Sequence, residues 1–174
     1  MVIKAIDGLN EITGRIVSIF AVFFAAIIIY DVFMRYALNE PTRWAFDVSK
    51  QLFGFYFIML GGYALRHNAH VRVDVLYRTM SPRAKARVDL LGTLFLLWPV
   101  CFLIFYVSFP YVEASWSVRE GSRETSGIQG VYLLKSVILA FVVLLALQGL
   151  STIIHALRIL SGAELPPEEA SPIL

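Results

Sequence analysis

Four apolar blocks separated by short polar segments organise this chain. The first runs from about Arg15 to Leu38, with an uncharged core from Ile16 to Tyr30. A helix rises about 1.5 Å per residue, so about 20 residues cover the ~30 Å hydrocarbon core of a bilayer. Asp31 and Arg35 close this block at i, i+4 spacing, which places both charges on one helix face. The turn Asn39-Glu40-Pro41-Thr42 follows, and Thr42 is expected to cap the next helix. The second block, Trp44 to Leu65, carries Asp47 and Lys50 in its first two turns and then no charge until Arg66. Gly61-Gly62 in its last part predicts close helix packing with a local bend. Ser81-Pro82 opens a third helix, with serine as N-cap and proline at the first helical position. That helix is charge-free from Leu90 to Val112, should kink at Pro99, and is expected to continue through Trp116. The fourth block, Tyr132 to Leu160, is charge-free between Lys135 and Arg158.

The connectors differ in character. In Arg66-His67-Asn68-Ala69-His70-Val71-Arg72-Val73-Asp74 the valines alternate with charges as in a strand. Leu76, Tyr77 and Met80 instead fit one helix face, and a short interfacial helix is the expected form of this middle loop. A polar loop from Arg119 to Gly130 joins blocks three and four. The segment 161–174 is acidic and proline-bearing, and is expected to be a disordered cytoplasmic tail. No small-x-small cleavage pattern follows the first block, so it is read as an uncleaved signal-anchor. The expected fold is therefore all-α: a domain over residues 1–160 with four transmembrane helices plus the interfacial helix.

Composition supports a membrane setting and excludes several functions. The chain is 58% hydrophobic and 16% charged over 174 residues, where a soluble domain is nearer half apolar and a quarter charged. A net charge of +2, with basic residues at the ends of apolar blocks, lacks the clustered basic face of a nucleic-acid binder. One cysteine, Cys101, rules out an internal disulfide or a two-cysteine metal site. Four spans place both termini and the middle loop on one side. That side holds nine Lys and Arg residues against six on the other, so the positive-inside rule puts both termini in the cytoplasm.

Candidate chemistry is sparse. His67 and His70 sit at i, i+3, and His155 lies near the end of the fourth block. Two facing histidines in a bundle hold a b-type haem, so a haem-binding membrane anchor of a redox enzyme is the alternative function. An ion-coupled carrier usually shows an acid near the midplane, and none of the four blocks has one. There is no G-x-S-x-G, H-E-x-x-H or phosphate-binding glycine loop, hence no expected catalytic residue or metal ligand set. What remains is an interfacial polar set: Arg35, Trp44, Asp47, Arg66, His70, Arg72, Asp74, Glu120 and Glu124. These residues suit contact with lipid headgroups or with another membrane subunit.

Two segments resemble a known family. Arg35-Tyr36-Ala37-Leu38-Asn39-Glu40-Pro41-Thr42-Arg43-Trp44-Ala45-Phe46-Asp47 is similar to an R-Y-x-[FL]-N-x-P-x-x-W-x-x-[ED] stretch of the small permease subunit of tripartite ATP-independent periplasmic (TRAP) transporters. Gly61 to Asp74, ending in His70-Val71-Arg72-Val73-Asp74, and Ser81-Pro82-Arg83 match in the same order. The resemblance covers roughly residues 15–160. Asp47 stands where many members carry Glu. The loop Glu120 to Ser126 resembles a subgroup labelled for mannitol or chloroaromatic compounds. The resemblance implies a scaffold in the bacterial inner membrane, packed on a large permease subunit among membrane lipids. It further implies a periplasmic substrate-binding protein that delivers an organic acid. Sodium is expected on the large subunit, with no cofactor and no enzymatic activity on this chain.

Overall fold

The structure is a computed structural model that describes residues 2–67, 69, 77, 79–123 and 127–163. The described residues are helical with short connectors and contain no strand. Helix α1 spans Val2–Ala37. It begins about thirteen residues before the first apolar block and rises about 54 Å. Its extra turns follow from a periodic stripe: Ile3, Ile6, Asn10, Gly14 and Val17 are the buried positions, spaced three or four apart.

The second apolar block forms α2, Ala45–Met59, and α3, Gly61–Arg66. The hydrogen-bond ladder carries through Leu60. Its N–H donates to the Tyr56 carbonyl at 3.2 Å, and the Ala64 N–H donates back to the Leu60 carbonyl at 2.8 Å. The interruption of regular helix thus falls at Leu60, just before the Gly61-Gly62 pair, and leaves a nearly continuous rod. Neither piece alone is long enough to cross a membrane.

Helix α4, Pro82–Gly92, starts as the sequence indicates, with Ser81 Oγ accepting from the Ala84 N–H. A π-helical turn over Thr93–Leu97 joins it to α5, Trp98–Ser117. Pro99 lacks an N–H and its ring crowds the carbonyl four residues back. That residue is Phe95, inside the π turn, so the wider turn takes up the distortion expected at Pro99. Helix α6, Val131–Ser161, closes on Gly162, whose φ of 76° is left-handed and suits glycine.

Three helical runs are long and apolar enough to cross a membrane: Val2–Ala37, Pro82–Ser117 and Val131–Ser161. Helix α6 is the hub. It touches α1, α2, α3, α4 and α5, while α1 packs on α2 and α3. Helix α5 packs on α6 alone among the later helices, through Cys101, Val112 and Ser115. Its Phe102, Leu103, Tyr106 and Val107 face outward. Such a surface is apolar all round, as a lipid- or subunit-facing helix should be.

The interfacial helix of the middle loop and the tail beyond Ala163 lie almost wholly outside the described residues. One expectation is corrected. Thr42 does not cap α2, whose N-cap residue Trp44 makes no side-chain cap bond. Thr42 instead donates its N–H, at 3.1 Å, and its hydroxyl to Asp31 on α1. The Asp31 carboxylate, six residues before the end of α1, is the stronger acceptor for that hydroxyl.

Candidate functional site

Polar side chains collect in two clusters, one around Asp47 and one where the start of α1 meets the middle of α6. At one end α2, the 119–130 connector and α6 meet around Asp47. This side chain is 1% exposed. Its Oδ1 accepts from Ser122 Oγ at 2.8 Å and lies 3.2 Å from Lys50 Nζ. Its Oδ2 accepts from the Ile128 N–H and from Gln51 Nε2, both at 2.9 Å. A carboxylate so surrounded is satisfied inside the protein. Gly127 lets the connector come this close, because a Cβ there would overlap Ser122 and sit 3.1 Å from Asp47 Oδ2.

Glu120 anchors the same connector from the other side. It accepts from Ser115 Oγ at 2.7 Å and from Lys135, whose ammonium also lies 4.0 Å from the centre of the Tyr111 ring. The Lys135 hydrogen bond, then that of Ser115, hold the Glu120 carboxyl below its usual range. Trp116 donates to Ser136 at 2.7 Å and meets Tyr132 edge-on. Nearby, Asp31 pairs with Arg35 at 2.8 Å, and Tyr30 stacks on Trp44.

The opposite end holds a network that the sequence reading missed. Asn10 and Ser151 are 1% and 0% exposed. Asn10 Nδ2 donates to Gln148 Oε1 at 2.9 Å. Gln148 Nε2 and Ser151 Oγ donate to Asp7 Oδ1 at 3.0 and 2.8 Å. Beside them Glu11 takes Arg66 at 2.6 Å, His67 at 2.8 Å and Arg15 at 2.8 Å. The signals were present: Asn10 continues the Ile3–Ile6 stripe, and Gln148 is a lone amide in an apolar run. Glycine makes the approach feasible. A Cβ on Gly62 would overlap the Asn10 amide oxygen and lie 3.3 Å from Leu144 Cβ.

Of the sequence-picked residues, Arg35, Trp44, Asp47 and Glu120 fall at one end and Arg66 at the other. His70, Arg72, Asp74 and Glu124 lie outside the described residues. His67 Nε2 faces Glu11, and His155 Nε2 is 3.9 Å from Asp7. Both described histidines therefore turn a ring nitrogen to a carboxylate, and nothing in this geometry supports the haem alternative. Among the described residues no group of three or more His, Cys, Asp or Glu could hold a metal ion.

Long apolar helices with outward-facing aromatic surface, tied together by polar networks, define a multi-pass membrane protein. The chain belongs to the DctQ component family of the tripartite ATP-independent periplasmic transporters, whose family model matches residues 14–159. It is thus a transporter component and its family is not one of enzymes. Searches of curated proteins and of solved structures return no match.

Proposed function

We propose that this chain is the small scaffold subunit of a sodium-coupled TRAP importer for an organic acid. In this reading it docks on a large permease subunit that carries substrate and sodium, served by a periplasmic substrate-binding protein. The observation that carries it is the separation of charge from shaft. The runs 16–30, 51–65, 90–112 and 136–157 hold no Asp, Glu, Lys or Arg, and Asp7, whose carboxylate reaches Gln148 and Ser151 in the last of them, is occupied by their hydrogen bonds, whereas a coupling site needs an ionisable or ion-coordinating group available at depth. The polar networks tie the start of α1 to the middle of α6, and α2 to the 119–130 connector, which suits a rigid part.

The same reading gives four spans. α2, Leu60 and α3 together rise about 33 Å at 1.5 Å per residue, enough for the ~30 Å core. The end holding Lys4, Arg15, Arg66 and Arg158 is then cytoplasmic in the bacterial inner membrane, and the Asp47 connector is periplasmic. Arg35, Trp44, Arg66, His70, Arg72, Asp74 and Glu124 remain the proposed subunit or lipid contacts; Asp47, expected among them from the sequence, is instead 1% exposed and bound within the chain.

The test is uptake in proteoliposomes under an inward sodium gradient, with the binding protein supplied outside. Liposomes with both membrane subunits are expected to accumulate substrate, and those with this chain alone are not. Uptake by this chain alone would overturn the reading.

A further inference from the structure

A groove of about 390 Å³ lies between the second half of α1 and the first half of α2. Phe24, Ile28 and Val32 wall it on α1, four residues apart on one face, and Phe53 walls it on α2. We propose that it holds one glycerophospholipid drawn from the surrounding bilayer, with the phosphate against Arg35 and Lys50. This goes beyond the transport reading and needs only that the helices lie in a membrane.

The groove is polarised along its length. Phe24 meets Phe53 at 5.4 Å between ring centroids and marks the apolar end. The chain reverses between α1 and α2, so Arg35, near the end of α1, and Lys50, in the second turn of α2, line the other end together. That end lies beside the stacked Tyr30 and Trp44 rings, aromatics of the kind that settle at headgroup depth. Asp31 lines this rim as well, paired to Arg35 and 16% exposed, so two cations against one carboxylate leave the rim net positive; apolar towards the middle of the helices and positive at the rim is the polarity of a phospholipid standing in its leaflet.

The cations have capacity to spare. Arg35 pairs with Asp31 and Lys50 with Asp47, yet both side chains are 52% exposed. A guanidinium has five N–H donors and an ammonium three, so most remain for a phosphate. Lys50 also leans over the Phe46 ring at 5.5 Å, which draws its charge to the groove edge. The groove is sized for one acyl chain, a single file of methylenes, while the second chain stays in the surrounding leaflet.

The test is native mass spectrometry of the full chain in mild detergent with added palmitoyl-oleoyl phosphatidylglycerol, and with the matching diacylglycerol, which lacks the phosphate. One retained phosphatidylglycerol and little diacylglycerol are expected. The pair Arg35→Gln and Lys50→Gln should lower retention about tenfold, the scale of losing charge-assisted hydrogen bonds. Ile28→Trp, which fills the groove from an exposed position and keeps both cations, should lower it as well. Unchanged thermal melting of both variants confirms that they fold. Equal retention of diacylglycerol, or retention untouched by both variants, would overturn the proposal. So would cross-linking, in the assembled transporter, of a cysteine at Val32 to another subunit in a Cys101→Ala background.

Discussion

Asp47→Ala is expected to free the connector between α5 and α6 and to lower the stability of the chain by about 3 kcal/mol, the scale for removing one side of a buried, charge-assisted network. Four donors converge on that carboxylate: Ser122, Ile128, Gln51 and Lys50. Alanine leaves the Ile128 N–H and the Gln51 amide without their acceptor at a side chain that is 1% exposed. Asn retains one carbonyl oxygen and should fall between wild type and Ala. The connector carries Arg119 and Arg123, so limited trypsin digestion in detergent reports its release directly. Faster cleavage after these arginines, together with a lower melting temperature, is the expected result. Cleavage at the wild-type rate in Asp47→Ala would show that the connector is held by other contacts.

Gly62→Ala should damage the other end through a single methyl group. The new Cβ would overlap the Asn10 amide oxygen, sit 3.0 Å from Asn10 Cγ, and press on Leu144. Asn10 would have to turn, which strains its 2.9 Å bond to Gln148. Overpacking of this kind costs about 1–3 kcal/mol. Gly92 provides the contrast, since a Cβ there meets nothing within 4 Å. Gly92→Ala should be neutral or stabilising by roughly 0.4–1 kcal/mol. The cause is separable by a double-mutant cycle. Asn10→Ala removes the group that the methyl strikes, so Gly62→Ala should cost markedly less in the Asn10→Ala background. Strict additivity in thermal or denaturant unfolding would contradict the packing account.

The parts of this fold that could be read from the sequence are those set by local rules. Uninterrupted apolar runs, Ser81-Pro82, and the charges at run ends place the helices closely, and α6 at Val131–Ser161 nearly coincides with the fourth block. The Gly61-Gly62 pair announced a close approach, and it is found, since a Cβ on Gly61 would overlap Phe141 and one on Gly62 would overlap Asn10. What escaped depends on partners distant in sequence. Asp47 was visible as an interfacial acid, but its four donors include residues 75 and 81 positions away, which no local pattern reveals. Asn10 and Gln148, 138 positions apart, are linked by no local pattern, because their bond forms only when the helices pack. Thr42 misled for the same reason: a capping residue by type found a better acceptor in Asp31 on the preceding helix. The family resemblance did not depend on any of these contacts, because it rests on the order of short motifs, and the match over residues 14–159 bears it out.

A fixed part of the transporter that carries no coupling ion should leave the sodium response of uptake to its partner. The sodium dependence of uptake in the assembled transporter tests it most directly, with Asp31→Asn, Asp89→Asn and Glu113→Gln introduced one at a time. The account predicts that half-saturating sodium and the steepness of the sodium response stay at wild-type values, even where assembly and therefore total uptake decline. A shift in half-saturating sodium, or a lost order in sodium, from any one of these substitutions would place part of the coupling site on this chain and contradict the account.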